Sequence, residues 1–361
     1  MILSNNLKKY FWRIAIFVAL IMFQTVCNAN TKRAVNILTW YDYLRDPEIS
    51  LIIKDKCGVE ISYDEYFHSS ECLGRIFSTR VNYNYDIAIF PGYLYYLIKK
   101  EMKVKHSTLN EVAKEYSTTI KEHYLSNGYP SNVAYFTIAV SGFVWNTNII
   151  HLSKDDTIYS MLKKAKNNIV ILMNAISGIW GLFDDSKSLS GELIAEKFKN
   201  AIQGADIYIT NGYNVLYNKD NFAFAFQWSG DAICAINASK SKKLDFLEHS
   251  KYSNVTIDLL AELNDKKDTQ CVAKVLASKK VLDIVQKKTF YLSPYSTYKS
   301  IDDPVFQSAY RPLFDGAHKK LWRRYVVDLK WEKELRSMWY TIHMLPQVIK
   351  NHSLVLRHKS D

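Results

Sequence analysis

The sequence has few of the residues that dominate fibrous, disulfide-rich and low-complexity proteins. Its 361 residues include only 12 glycines, 7 prolines and 5 cysteines. This scarcity excludes collagen-like, Pro-rich and Gly-rich chains. Since 48% of the residues are hydrophobic and 23% are charged, the chain can bury a sizeable core and is not a disordered protein. Its length favours two domains or lobes.

No apolar run is long enough to span a membrane comfortably, since a spanning helix needs roughly 20 apolar residues. The longest run, residues 14–23, follows three basic residues and precedes the short segment that contains Cys27 and Ala29. A basic head, a short apolar stretch and small residues are typical of a secretory signal. We predict a signal peptide over residues 1–29 and an exported mature chain. A retained N-terminal anchor and lipid anchoring at Cys27 are the less favoured alternatives.

The positive charge of the chain does not indicate a nucleic-acid partner. The formal net charge is +11, but three of the 47 basic residues lie in the leader, which leaves the mature chain with an excess of eight positive charges. The remaining basic clusters are short and dispersed, as solvated helix faces are. We therefore expect no nucleic-acid partner.

Four cysteines remain in the mature chain: Cys57, Cys72, Cys234 and Cys271. In an oxidising compartment they allow one or two disulfides, with three full pairings, or else free buried thiols. None of them forms a CxxC pair, which argues against zinc or thioredoxin-like chemistry.

Motifs of enzyme chemistry are also missing. The sequence has no phosphate-binding GxxxxGK[ST] or GxGxxG loop, no HExxH and no GxSxG nucleophile elbow. Its nine histidines are scattered, without an i, i+4 pair around a carboxylate. We expect no enzymatic activity, no metal site and no cofactor.

The start of the mature sequence alternates strand and helix patterns, which favours parallel strands with crossover helices. Asp46 and Pro47 are positioned to begin a helix, and Gly58 to end it. We see no internal repeat and no low-complexity linker. The patterns predict strands at 35–39, 59–63, 85–90, 134–145, 169–173 and 222–228. They predict helices after Asp46 and Ser69 and at 156–166, 190–203, 268–286 and 330–349, the last with a break at Pro346.

Aromatic residues stand beside carboxylates after two predicted strands. Trp40-Tyr41-Asp42-Tyr43 follows the first strand, and Trp228-Ser229-Gly230-Asp231 follows another. Ligands of open α/β sheets bind outside the carboxyl ends of strands. Because aromatic faces attract cations and aspartate neutralises an ammonium group, the two clusters predict a clamp around a small organic amine.

These segments, in this order, resemble the periplasmic spermidine/putrescine-binding proteins of ABC transporters. Val35-Asn36-Ile37-Leu38-Thr39-Trp40-Tyr41-Asp42-Tyr43 is similar to the first strand and N-W-[ST]-[DE]-Y motif of that family. Cys57-Gly58-Val59-Glu60-Ile61 and Tyr85-Asp86-Ile87-Ala88-Ile89 are similar to its next two strand segments. Gln227-Trp228-Ser229-Gly230-Asp231-Ala232 resembles its W-x-G-D/S motif.

The resemblance implies an α/β fold with two lobes, each a mostly parallel sheet flanked by helices, that close on a ligand in a cleft. The first lobe would comprise residues 30–140 and 257–303, and the second 141–256 and 304–361. The chain would be a monomeric receptor that delivers a polyamine to ABC permease subunits.

Carried over residue by residue, the resemblance places Trp40 and Trp228 beside the alkyl chain of the ligand and Asp42 and Asp231 at its ammonium groups. The full predicted site comprises Trp40, Tyr41, Asp42, Tyr43, Tyr93, Asn174, Ser177, Trp228, Asp231, Thr256 and Tyr291.

Several positions depart from the family pattern. Asn174 and Ser177 replace an acidic pair, and Thr256 replaces an aspartate, although Asp258 follows two residues later. Pro91 and Gly92 replace the Ser or Thr that follows the third strand. Because a buried ammonium needs a carboxylate, the two remaining ones suit a short diamine better than a longer polyamine. The alternatives are the same fold with another small organic cation, an amino-acid derivative or an anion, and a non-transport envelope protein or enzyme.

Overall fold

Strands and helices alternate through most of the chain in the computed structural model. It describes residues 34–78, 84–174, 176–179, 181–183, 189–210, 222–239, 243–249, 251–314, 329–345 and 348–349. The predicted leader, residues 1–29, lies outside this described part. Within it, no helix has both the length and the apolar character that crossing a bilayer requires.

The strands are β1 (Ala34–Trp40), β2 (Glu60–Tyr66), β3 (Ile87–Pro91), β4 (Val133–Asn146), β5 (Ile169–Leu172), β6 (Asp206–Ile209), β7 (Phe222–Trp228), β8 (Leu244–Leu247), β9 (Val255–Glu262) and β10 (Val348–Ile349). The α-helices are α1 (Pro47–Cys57), α2 (Ser69–Phe77), α3 (Tyr95–Ile98), α4 (Thr118–Asn127), α5 (Ile158–Lys164), α6 (Ile176–Ile179), α7 (Gly191–Ala201), α8 (Ser229–Ala238), α9 (Lys267–Leu276), α10 (Lys279–Thr289), α11 (Pro304–Phe314) and α12 (Leu329–His343).

The strands form two mixed sheet regions that meet at β4. In the first region β2, β1 and β3 pair in parallel, and β9 joins β3 to β4 by antiparallel pairing. In the second, β10, β6, β5 and β7 pair in parallel, and β7 and β8 both pair antiparallel with β4. Crossover helices join β1 to β2, β2 to β3 and β5 to β6, as the alternation in the sequence predicts.

Strand β4 belongs to both sheet regions. Its first part, between Val133 and Val140, pairs with β9, and its second part pairs with β7 from Ser141 to Trp145 and with β8 from Phe143 to Asn146. All 14 residues of the strand are buried. This explains why the sequence here is a nearly continuous apolar run instead of an alternating one.

Two large hydrophobic cores lie on either side of this shared strand. The first is built from residues between 35 and 140 and between 255 and 313, and the second from residues between 143 and 252 together with α12. Helix α11 packs in the first core through Phe306, Tyr310 and Leu313. The sequence prediction assigned this helix to the second lobe.

The local signals of the first helix are confirmed. The Asp46 side chain accepts a hydrogen bond from the Glu48 backbone, Pro47 occupies the first turn, and Gly58 ends α1 in the left-handed conformation at φ 69°. Only a residue without Cβ adopts that conformation readily.

Two longer predictions need correction. The predicted helix at 268–286 is two helices, α9 and α10, because the chain leaves the helical conformation at Ser278. Buried residues continue at helical spacing on both sides of the break, so the pattern alone does not reveal it. The predicted C-terminal helix ends at His343, and residues 348–349 pair with β6 as a strand.

One disulfide joins α1 to α9 in the first half of the molecule. Cys57 and Cys271 are separated by 214 residues in sequence and by 5.8 Å between their Cα atoms. Cys72 and Cys234 are not disulfide-bonded in the described part of the chain. Of the arrangements that the sequence left open, that part therefore has a single disulfide.

Because this disulfide closes a long loop, we expect its loss to destabilise the protein. Replacing both Cys57 and Cys271 by alanine should lower the free energy of unfolding by about 2–5 kcal/mol in urea denaturation. A reducing agent should destabilise the unmodified protein to a similar extent and leave the double variant unchanged. An unmodified protein that is insensitive to reductant would contradict the expectation.

Candidate ligand-binding cleft

A cavity of about 210 Å³ lies between the two halves of the molecule. It is bounded by the end of β1, the first turns of α8, the start of β9 and the segment that follows α10. Trp40 packs against the first core and Trp228 against the second, so the two halves contribute one tryptophan each. The predicted site residues that line the cavity are Trp40, Tyr41, Asp42, Tyr43, Trp228, Asp231, Thr256 and Tyr291.

Within the described part of the chain, Tyr93 and Asn174 are not among the residues that line this cavity. The Tyr93 hydroxyl donates a hydrogen bond at 2.5 Å to Oγ of Ser69, which does line it. Asn174 accepts a hydrogen bond from Trp339 Nε1 at 3.3 Å, in the second half of the molecule. The side chain of Ser177 is outside the described part of the structure.

Asp258 is a central acceptor of the cleft. Oδ2 accepts hydrogen bonds from the Tyr43 hydroxyl at 2.6 Å and from Thr137 Oγ1 at 3.0 Å, and Oδ1 accepts one from Trp40 Nε1 at 3.2 Å. Burial raises the pKa of the Asp258 carboxyl to about 6, although these three donors oppose the rise. The sequence indicated Asp258 only as a substitute for the acid missing at Thr256.

Asp231 lies in the first turn of α8, where the helix dipole favours a negative charge. Burial raises the pKa of its carboxyl to about 7, and the negative charge of Asp42 adds to the rise. A hydrogen bond from Tyr291 acts in the opposite direction. In the described part of the chain no cationic side chain forms an ion pair with Asp231.

Gly230 allows this close packing between α8 and the segment after α10. A Cβ atom at residue 230 would lie 2.5 Å from the Thr289 carbonyl oxygen and 2.6 Å from a ring carbon of Tyr291. Any larger residue would therefore push Tyr291 away from Asp231. This explains why a glycine precedes the aspartate in the second aromatic–acidic cluster.

Asp42 has a different environment, because Arg45 binds it. Arg45 Nη1 lies 3.0 Å from Asp42 Oδ1, and Arg45 Nη2 lies 2.6 Å from Glu65 Oε2. The Asp42 backbone, at φ 69°, donates a hydrogen bond to Glu65 Oε1 at 2.9 Å. These carboxylates raise the pKa of the guanidinium further above its ordinary value. The sequence prediction placed Asp42 at a ligand ammonium and did not include Arg45.

Aromatic rings form much of the cavity wall. The Trp40 ring lies 4.4 Å from Tyr66, the Tyr41 ring lies 4.6 Å from Phe67, and Tyr43 meets Tyr291 edge-on at 6.0 Å. Burial raises the pKa of Tyr43 and Tyr291, so both hydroxyls stay neutral and available as hydrogen-bond donors.

Hydrogen bonds connect the segments that cross between the two halves behind the cavity. Ser141 Oγ donates to Asn254 Oδ1 at 2.5 Å, and the Asn254 backbone N–H donates back to Ser141 Oγ at 2.9 Å. Ser229 Oγ accepts from the Val140 backbone N–H at 3.1 Å and donates to the Tyr310 hydroxyl at 2.6 Å. The start of α8, and with it Asp231, is thereby fixed to the shared strand β4.

No protein-family model matches the chain, and no curated protein matches it. Solved structures match its fold. The spermidine/putrescine ABC transporter substrate-binding protein PotD from Streptococcus pneumoniae has 16% identity over 86% of this chain and 99% of its own, with a TM-score of 0.65. A periplasmic thiamin binding protein has 12% identity over 86% of this chain and 97% of its own, with a TM-score of 0.60. Iron-bound HitA from Pseudomonas aeruginosa has 11% identity over 86% of this chain and 99% of its own, with a TM-score of 0.61.

The chain therefore has the two-lobed α/β fold of periplasmic solute-binding proteins, and the fold prediction is confirmed. The ligands in the names of these structures differ: polyamines in one, thiamin in another and iron in a third. The fold therefore accounts for the cleft but does not determine the ligand, which has to be inferred from the side chains that line the cleft.

The raised pKa of Asp231 predicts how stability depends on pH. A carboxyl with a higher pKa in the folded than in the unfolded state binds its proton more tightly when folded. Its contribution is therefore complete below about pH 4 and is lost as the pH rises through about 7. In urea denaturation between pH 5 and 8, the unfolding free energy of Asp231→Asn should decline less than that of the unmodified protein.

The matched control is Asp206→Asn, which removes an exposed carboxyl on β6. The unfolding free energy of this control variant should decline between pH 5 and 8 as that of the unmodified protein does. Identical pH dependence in the Asp231→Asn variant and the unmodified protein would show that the Asp231 carboxyl is not raised by burial.

Proposed function

We propose that this chain is a periplasmic solute receptor whose cleft binds a small organic amine of the polyamine class and delivers it to the permease of an ABC transporter. The observation that carries the proposal is Asp231, a desolvated carboxylate without an ion-pair partner in the described part of the chain, set in a cavity that Trp40 and Trp228 also line. Neutralising such a carboxylate with a ligand cation recovers part of its desolvation cost.

The cavity has the chemistry that an ammonium group on an alkyl chain requires. Aromatic faces attract the cation and cover the methylene groups, and carboxylate oxygens accept its N–H bonds. Asp258 accepts a hydrogen bond from Tyr43 at 2.6 Å and Asp231 accepts one from Tyr291, so the two carboxylates flank this tyrosine pair. Putrescine and spermidine are the specific ligands that the sequence resemblance suggests.

The same features argue for binding and against catalysis. The acidic groups of the cleft are held by several donors each, as for Asp258, or lie at the start of a helix, as for Asp231. This rigidity suits recognition of a fixed charge. We propose a monomeric, periplasmic receptor without enzymatic activity, in accordance with the solute-binding proteins that share its fold.

Calorimetry of the mature protein with putrescine, cadaverine and spermidine tests the proposal. At least one should bind, and the tryptophan fluorescence should change because Trp40 and Trp228 line the cavity. Asp231→Asn should weaken that amine roughly 30-fold or more, since truncating one partner of a buried charge pair costs about 2 kcal/mol or more. Asp206→Asn should bind as the unmodified protein does. An absence of binding by all three amines would refute the polyamine assignment.

The affinity for the amine should also depend on pH. The ligand stays protonated below about pH 9 because alkyl ammonium groups titrate near the pKa of lysine. Asp231, with its pKa raised to about 7, becomes protonated as the pH falls, and a neutral carboxyl no longer pairs with the cation. Affinity should decrease about tenfold for each pH unit below 7. Equal dissociation constants at pH 5 and pH 8 would be incompatible with a role for the Asp231 carboxylate.

A further inference from the structure

We infer that the cleft pairs only one ammonium group of its amine ligand with its carboxylates, and that Arg45 is the residue that keeps a second ammonium group from Asp42. This inference rests on the proposed function, since it specifies which amines the same cleft binds. It differs from the sequence prediction, in which Asp42 and Asp231 each hold one ammonium group of a diamine.

A diamine needs a carboxylate for each of its two charges. Asp42, Asp231 and Asp258 are the acidic residues that line the cavity in the described part of the chain. Asp258 accepts a hydrogen bond from Tyr43 at 2.6 Å, Asp231 accepts one from Tyr291, and the two tyrosine rings meet edge-on at 6.0 Å, so Asp231 and Asp258 form one subsite. The second charge of a diamine would therefore depend on Asp42.

Arg45 occupies the position that this second ammonium would take. Its guanidinium lies 3.0 Å from Asp42 Oδ1, which is already the distance of a charge-assisted hydrogen bond. Glu65 holds the guanidinium through Nε at 2.9 Å and Nη2 at 2.6 Å, so Arg45 does not depend on Asp42 alone for its position. A ligand cation would have to displace a fixed internal cation from Asp42.

Arg45 also shapes the wall next to Asp42. Its guanidinium lies 3.8 Å from the centre of the Tyr41 ring and donates a hydrogen bond to the Tyr41 hydroxyl at 2.9 Å. The Tyr41 ring in turn packs on Phe67 at 4.6 Å. This part of the cavity is thus an aromatic surface beside a positive charge, which favours an uncharged ligand group over a second ammonium.

Lys288 adds a further positive charge to the cavity lining. Its side chain forms no ion pair within the described part of the chain, so its charge is not offset there by a neighbouring carboxylate. Repulsion from Lys288 and Arg45 raises the free energy of a doubly charged ligand relative to a singly charged one of equal size.

Putrescine and pentylamine provide a matched pair of probes. They have the same chain length, and a methyl group in pentylamine replaces one ammonium of putrescine. In calorimetry, the unmodified protein should bind pentylamine at least as tightly as putrescine. Arg45→Gln should shift the ratio of the two affinities towards putrescine by roughly tenfold or more, the effect of gaining one charge-assisted contact of about 1.4 kcal/mol.

Two controls separate this effect from changes in fold or net charge. Arg45→Lys keeps the positive charge and should leave the preference for pentylamine in place. Lys54→Gln removes one charge from an exposed pair with Glu60 and should leave the ratio unchanged. The comparison of the two probes on the unmodified protein needs no variant, so the inference is testable even if Arg45→Gln does not fold.

The outcomes distinguish this inference from the proposed function. Tighter binding of putrescine than of pentylamine, with a ratio that Arg45→Gln does not change, overturns the inference and leaves the amine receptor standing. Absence of binding by putrescine, pentylamine, cadaverine and spermidine overturns both.

Discussion

The shared strand β4 is the constraint on which the rest of the structure depends. Its first part completes the sheet of one half through β9, and its second part completes the sheet of the other through β7 and β8. A strand that serves two sheets must be apolar on both faces, and all of its residues are buried. The cavity lies where this strand passes from one partner to the next, between Val140 and Ser141. Packing of the two cores thereby determines the position of the cleft.

That position explains the electrostatics of the cleft. Asp231 lies at the first turn of α8, which follows β7 of the second sheet region, and Asp258 lies on β9 of the first. Each is surrounded by aromatic side chains because the cores begin directly behind them. Desolvation therefore raises both pKa values in spite of good donors, to about 7 and about 6. A cation that enters the cleft offsets part of the desolvation free energy that burial in the fold imposes on these two carboxylates.

The sequence predicts the fold and part of this site because their signals are local. Trp40 and Asp231 stand directly after strands, and strand ends of an α/β sheet face the cleft. The role of Asp258 is not predictable in this way, since its donors Tyr43 and Thr137 are 215 and 121 residues away in sequence. Tyr93 was inferred from its spacing after β3, but its hydroxyl is bound to Ser69 instead of facing the cavity.

Arg45 is the instructive exception, because its signal was local and was missed. It stands three residues after Asp42, close enough along the chain for the two opposite charges to pair across a turn. The left-handed backbone at Asp42 and the contact with Glu65 on β2 complete a geometry that the sequence does not display. A carboxylate that a motif identifies can therefore be assigned to the ligand only once it is known which side chains of the protein already bind it. In this cleft that distinction separates a site for two cationic groups from a site for one, although the aromatic walls are the same in both cases.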